Sequence, residues 1–168
     1  MTALVVLALA AGMLECPPGT THAGAPPPFG NGEWCERPGP DGNPRRHGPA
    51  RDYYEPDLVH VESTWKDGQL DGPWVEYHRD GRKAAEGQYR DGEKDGAWTY
   101  YYEGGKVEEE VSFDLGRRHG RFVQWWRNGK KRTEGTFCLG LQCRTWTTWN
   151  EEGALLGTVV YEEIRGTP

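Results

Sequence analysis

Residues 66–82 read KDGQLDGPWVEYHRDGR, and residues 90–106 read RDGEKDGAWTYYYEGGK. The shared frame is DG-x-x-DG-x-W-x-x-Y, displaced by 24 residues. Working outward at that offset, one aromatic column runs Trp74, Trp98, Phe122, Trp146. A second runs Tyr53, Tyr77, Tyr101, Trp125, Trp149, and a third Trp65, Tyr89, Phe113, Phe137, Tyr161. Glycine keeps the same step at Gly48, Gly72, Gly96 and Gly120, at Gly68, Gly92, Gly116 and Gly140, and at Gly81, Gly105, Gly129 and Gly153. Glu62, Glu86, Glu110 and Glu134 form a polar column. A period held without a gap from about residue 48 to 161 is the signature of a repeat architecture, in which each unit shares its core with its neighbours.

Each unit holds two runs rich in aromatic and β-branched residues, such as 74–78 and 83–89, which favour a pleated surface. Between them stand Asp80-Gly81, Gly104-Gly105, Asn128-Gly129 or Glu152-Gly153, mostly pairs that reach positive φ at low cost and so suit primed hairpin turns. A longer link bracketed by glycines, Asp67 to Gly72 or Asp91 to Gly96, leads to the next unit. Glycine recurs too often for a helix. The expected fold is all-β: tandem 24-residue hairpins in one elongated antiparallel meander sheet.

In the second run, residues two apart share a face. Gly87 with Tyr89, Val111 with Phe113 and Gly135 with Phe137 therefore put a small or branched residue beside each ring. The other face, with Glu86, Gln88, Glu110, Ser112, Glu134 and Thr136, reads as solvated. Trp74 and Tyr77 are three apart, so alternation sets them on opposite faces unless a bulge reunites them, and the sequence leaves both arrangements open.

The phrase Asp-Gly-x-x-Asp-Gly-x-Trp-x-x-Tyr-x-x-x-Gly-Lys/Arg resembles the MORN-type repeat, in the bacterial variant typical of proteins labelled YwqK-family antitoxin components. The resemblance covers about residues 42–165, with four clear units behind a degenerate first one. In that first unit Ala50 replaces the tryptophan and Glu55-Pro56-Asp57 replaces the glycine turn; in the last, Arg144 stands at a glycine position. The resemblance implies a single-layer hairpin array acting as a scaffold for protein or lipid.

Residues 1–14, MTALVVLALAAGML, are apolar, uncharged and too short to span a bilayer, but have the length of a signal-peptide core. Ala8-Leu9-Ala10 offers a small-x-small cleavage site, as does Ala10 with Gly12, although no positive residue precedes the apolar run. Residues 15–41 form a Pro/Gly-rich segment, and residues 15–50 as a whole are expected to lack regular structure over most of their length. Within it, Trp34 is expected to stand in for the third aromatic column. Residues 166–168 are a tail.

Four cysteines fit an exported chain. Cys138 and Cys143 bracket the link between adjacent strands, and Cys16 and Cys35 bracket the proline-rich segment, so Cys16–Cys35 with Cys138–Cys143 is the preferred one of three connectivities. Lipidation of Cys16 competes with this, against Glu15 where a lipobox has a small residue. Zinc is disfavoured because no Cys-x-x-Cys pair occurs.

A formal charge of −6 opposes a nucleic-acid surface. Catalytic chemistry is not expected. His47 and His119 occupy a link position filled elsewhere by Asp71 and Asp95, and the glutamate column is explained by the period. A calcium-loop reading of the Asp-Gly links fails because Asp67 and Asp71 become Leu115 and His119 in a later unit. No cofactor or metal site is expected, nor a stable transmembrane span. The expected activity is binding: an exported (periplasmic, surface or secreted) scaffold that presents aromatic rings to another protein, in an antitoxin-like or immunity role. The candidate contacts are Trp74, Tyr77, Trp98, Tyr101, Phe122, Trp125, Trp146 and Trp149, since Trp and Tyr dominate binding hot spots. The competing arrangement makes both columns the packed ladder. Other classes are carbohydrate or cell-wall binding along a row of rings, and a structural envelope module.

Overall fold

The computed structural model describes residues 14–162; the expected signal segment, apart from Leu14, and the 166–168 tail lie outside them. Twelve strands form one antiparallel sheet in chain order: β1 (Thr21–Ala25), β2 (Gly32–Pro38), β3 (Pro44–Glu55), β4 (Leu58–Lys66), β5 (Gln69–Tyr77), β6 (Lys83–Arg90), β7 (Glu93–Tyr101), β8 (Val107–Asp114), β9 (Arg117–Trp125), β10 (Lys131–Cys138), β11 (Leu141–Trp149) and β12 (Leu155–Tyr161). No helix occurs among the described residues. The expected meander is the observed one.

The turns exchange the roles assigned to them from sequence. The link beginning Asp67-Gly68 is a tight two-residue turn, because Gln69 to Asp71 already belong to β5. Asp67 and Gly68 have φ of 52° and 89°, and Asp91 with Gly92, Leu115 with Gly116 and Leu139 with Gly140 repeat the pattern. Two successive positive φ values define the primed turn that matches strand twist. The Asp80-Gly81 link is instead a longer loop: His78 N–H donates to the Arg82 carbonyl at 2.8 Å, and Gly81 N–H to that of His78 at 2.9 Å. There Gly81 has φ 77° and Asp80 is not left-handed.

Trp74 and Tyr77 lie on opposite faces. Between them the β4–β5 register is regular, with Ser63 opposite Trp74, Glu62 opposite Val75 and Val61 opposite Glu76. The bulge falls on the other side of the tryptophan, where Ser63–Trp74 is followed by Trp65–Leu70. Gly72 takes φ 118° in that bulge, and Gly96, Gly120 and Arg144 take 71°, 90° and 59° at the same place in later units. The last value shows that the position demands left-handed backbone even where the sequence supplies arginine.

The core is a stack of rings on one face. Trp98, Val111, Phe122, Phe137 and Trp146 are buried, with Trp74, Tyr89, Tyr100 and Phe113 packed against them. Trp74 and Trp98 are 5.3 Å apart between centroids, and Phe122 and Trp146 are 5.2 Å apart. Tyr89 and Phe137 meet Trp98 and Trp146 edge-on at 5.2 and 4.9 Å, the geometry that ring quadrupoles favour. Each large ring covers a small residue: an added Cβ on Gly87 would lie 2.3 Å from the Trp98 ring, and one on Gly135 2.2 Å from Trp146. Where the ring is the smaller Phe122, the residue opposite it is Val111.

Residues 15–50 depart from expectation, because β1, β2 and the start of β3 extend the sheet through them. Backbone pairing with β3, itself paired to the repeat array, orders β2 despite its composition. Trp34 does not occupy the third column. It pairs with Ala50, two residues short of that column, so the large and small partners are exchanged between strands. Ala50 is 2% exposed under this swap. Both expected disulfides are present, Cys16–Cys35 and Cys138–Cys143.

Candidate functional site

The face opposite the ring stack carries the second aromatic column beside the glutamates. Tyr53 Oη donates to Glu33 at 2.6 Å, Tyr77 Oη to Glu62 at 2.9 Å, and Tyr101 Oη makes a short hydrogen bond to Glu86. The donor and acceptor lie 20 residues apart in the first pair and 15 in the other two, so the bonds cross strands and fix each ring. This face is therefore not simply solvated: Glu33 is 2% exposed, and Val123, between Glu110 and Glu134 in the register, is 1% exposed.

Burial, followed by the bond to its glutamate, pushes each of the Tyr53, Tyr77 and Tyr101 phenols up to about 12. Burial opposes the charge on Glu33, but bonds from Tyr53 and His22 and the charge of Arg51 outweigh it and hold the carboxyl below its usual range. The Lys83 ammonium and the Tyr101 hydroxyl lower Glu86. A phenol that ionises near pH 10 when unfolded and near 12 when folded is neutral in both states below pH 10, so its stabilisation is fully present there. It is lost as pH rises from 10 through 12. Alkaline unfolding is thus expected to steepen across that window, with at least Tyr53, Tyr77 and Tyr101 ionising late in an ultraviolet titration. Ionisation of all eight tyrosines near pH 10 in the folded protein would contradict it.

In the last two units the column changes chemistry. Trp125 and Trp149 replace tyrosine, and Glu110 and Glu134 bond instead to Arg121 at 3.4 Å and Lys131 at 2.6 Å. Trp125 and Trp149 are half-buried. Among the described residues their indole N–H groups find no hydrogen-bond partner, although those of Trp98, Trp126 and Trp146 each reach a backbone carbonyl. No buried side-chain polar atom among the described residues lacks a partner, so both N–H groups are open to water. One strand, β10, lies between the two rings, so they stand two strand spacings apart, about 10 Å. Lys131 Nζ lies 5.9 Å from the Trp149 ring centre.

The other candidate column is structural. Trp98, Phe122 and Trp146 are 1%, 6% and 6% exposed, and Trp74 is packed against them. Lys94 caps the stack 4.0 Å from the Trp98 ring centre and donates to Tyr100 Oη at 2.7 Å. Burial against these rings lowers its ammonium. Of the candidate contacts, Tyr77, Tyr101, Trp125 and Trp149 share the glutamate face, and the remaining four do not.

One regular device has no counterpart in the sequence reading. Tyr54 Oη donates to the Tyr77 carbonyl, His78 Nε2 to that of Tyr101, Tyr102 Oη to that of Trp125 and Trp126 Nε1 to that of Trp149, at 2.7–3.1 Å. Each residue thus pins the backbone of the second column one unit ahead. The signal was a fourth column whose members all carry a donor.

The surface holds open grooves, one of about 260 Å³ bounded by Leu58, Val59, Glu62 and Tyr77. Among the described residues, no group of three or more His, Cys, Asp or Glu is placed to hold a metal ion. No helix among them is long and apolar enough to cross a membrane.

Residues 94–114 and 118–138 match the family model described as a MORN repeat variant. Each matched segment spans one hairpin, β7–β8 or β9–β10, which supports MORN-type repeats over residues 94–138. No curated protein matches. Among solved structures, the chain is similar to one from the GtfA/B complex bound to UDP and GlcNAc, at 10% identity and a TM-score of 0.29. That match covers 88% of this chain and 25% of the other.

Proposed function

We propose that the protein is a non-catalytic, exported scaffold that docks a partner protein on its glutamate face, with Trp125 and Trp149 as anchors and Tyr77 and Tyr101 continuing the row. The observation that carries this reading is the pair of half-buried indoles whose N–H groups have no partner among the described residues. Indole offers a large rigid surface and one donor, and a ring already flanked by ordered neighbours loses little freedom on binding. The charged pairs Arg121–Glu110 and Lys131–Glu134 supply a polar rim. The two disulfides fit an oxidising compartment, hence export. An antitoxin or immunity role is the specific form that the repeat family suggests.

Affinity capture from periplasmic and secreted fractions, disulfides intact, tests the reading. The wild-type chain is expected to retain a discrete protein, and the Trp125→Ala/Trp149→Ala variant to lose it, with binding weakened at least about a hundredfold if both are hot spots. Thermal melting of the variant serves as the folding control. A quench of tryptophan fluorescence by cell-wall polysaccharide, with no protein retained, would replace protein docking by carbohydrate binding on the same rings.

A further inference from the structure

β12 differs from every other strand. All seven of its residues are exposed, with Leu155 at 62%, Leu156 at 65%, Val159 at 54% and Val160 at 74%. It pairs with β11 on one side, and no described residue pairs with its other edge. The glutamate column ends here: Thr158 takes the place of Glu134, and Val160 that of Thr136. β2 to β11 each contain at least one formal charge, whereas Leu155–Tyr161 contains none.

Exposed edges are ordinarily blunted by charge, proline or shortness. The opposite edge of this sheet follows that rule, since β1 has five residues and runs directly into Pro26, Pro27 and Pro28. β12 has none of these protections. We infer that β12 pairs antiparallel with β12 of a second copy of this chain, forming a two-fold dimer with one continuous sheet.

The strand is self-complementary about Thr158. Antiparallel pairing centred there sets Leu156 opposite the second copy's Val160 and Gly157 opposite its Val159, with Leu155 facing Tyr161. A Cβ built on Gly157 would meet nothing within 4 Å, so the space that the second copy's Val159 needs is open. Identical strands with no formal charge oppose no like charges, an advantage that self-pairing of β2 to β11 lacks. A closed two-fold contact uses the single unprotected edge that the described residues of each chain present and stops at two. The net charge of −6 resides elsewhere and repels the copies, so added salt strengthens the contact.

Sedimentation equilibrium of the full chain, disulfides intact, tests this. A monomer–dimer equilibrium that tightens with salt is expected. Val160→Lys, which puts a cation opposite the second copy's Leu156, is expected to weaken dimerisation about tenfold or more. Leu156→Lys should do the same, while Leu141→Lys, equally exposed but off the edge, leaves the dimer intact. Because β12 is exposed, all three variants should keep the wild-type circular dichroism. A chain monomeric at every concentration, a dimer indifferent to both β12 variants, or growth beyond two copies would overturn the inference.

Discussion

Gly87→Val is expected to cost roughly 3 kcal/mol, at the upper end of the overpacking range, and to bring the sheet close to unfolding. The added Cβ would stand 2.3 and 2.4 Å from two Trp98 ring carbons, so the ring has to leave its place under Trp74 and Tyr89. Backbone strain is not the cause, because Gly87, unlike Gly72 or Gly96, is not left-handed. The next unit shows the remedy: there the ring is Phe122 and the residue opposite is Val111, both buried. Adding Trp98→Phe to Gly87→Val should therefore restore most of the loss, giving a favourable coupling energy of about 1–3 kcal/mol in a double-mutant cycle by denaturant unfolding. Simple addition of the two single effects would refute ring-to-floor size matching.

This pair of glycines also marks how far the sequence could be read. The period is visible because every unit has to bury the same rings against its neighbours, and with it the hairpins and the strand order; the disulfides were legible from the segments their cysteines bracket. Glycine columns look alike in sequence but answer to different forces. Gly92 has open space and φ 87°, so backbone geometry requires it, whereas Gly87 and Gly135 are required by the tryptophans above them. The face of Tyr77 was not legible, because it depends on which side of Trp74 the bulge falls. The strands in residues 15–50 were hidden for a related reason. β2 exists by pairing with β3 and by the exchange of Trp34 with Ala50, neither of which is a property of the local composition.

The link histidines had a partial signal. His119 Nδ1 accepts the N–H of Leu139 at 3.4 Å, as Asp71 Oδ2 accepts that of Asp91 at 3.4 Å. The sequence shows His and Asp sharing one column; only the structure shows that His47, Asp71 and His119 each accept a turn N–H. At the candidate site the rings themselves were legible, but their division was not. Trp98 looked as available as Trp149, and only burial separates them.

Trp98→Ala should consequently act on stability before it acts on binding. Truncating a ring that is 1% exposed, touched by Trp74, Tyr89, Tyr100 and Phe113, is expected to cost about 3–5 kcal/mol. The Trp98 indole also donates to the Gln88 carbonyl at 3.1 Å, a bond lost with the ring, and Lys94 would be left over a void. In a quasi-linear array each unit is held by its neighbours alone, so damage at the middle of the stack uncouples the two ends. Thermal unfolding should therefore split into two transitions, the later one from the β9–β11 end, where Phe122, Phe137 and Trp146 still pack together and Cys138–Cys143 closes the β10–β11 hairpin. Trp149→Ala, removing a half-buried ring on the opposite face, should keep a single transition near the wild-type temperature. If Trp98→Ala also melted once, with a small shift, the ring stack would not be what holds the sheet together.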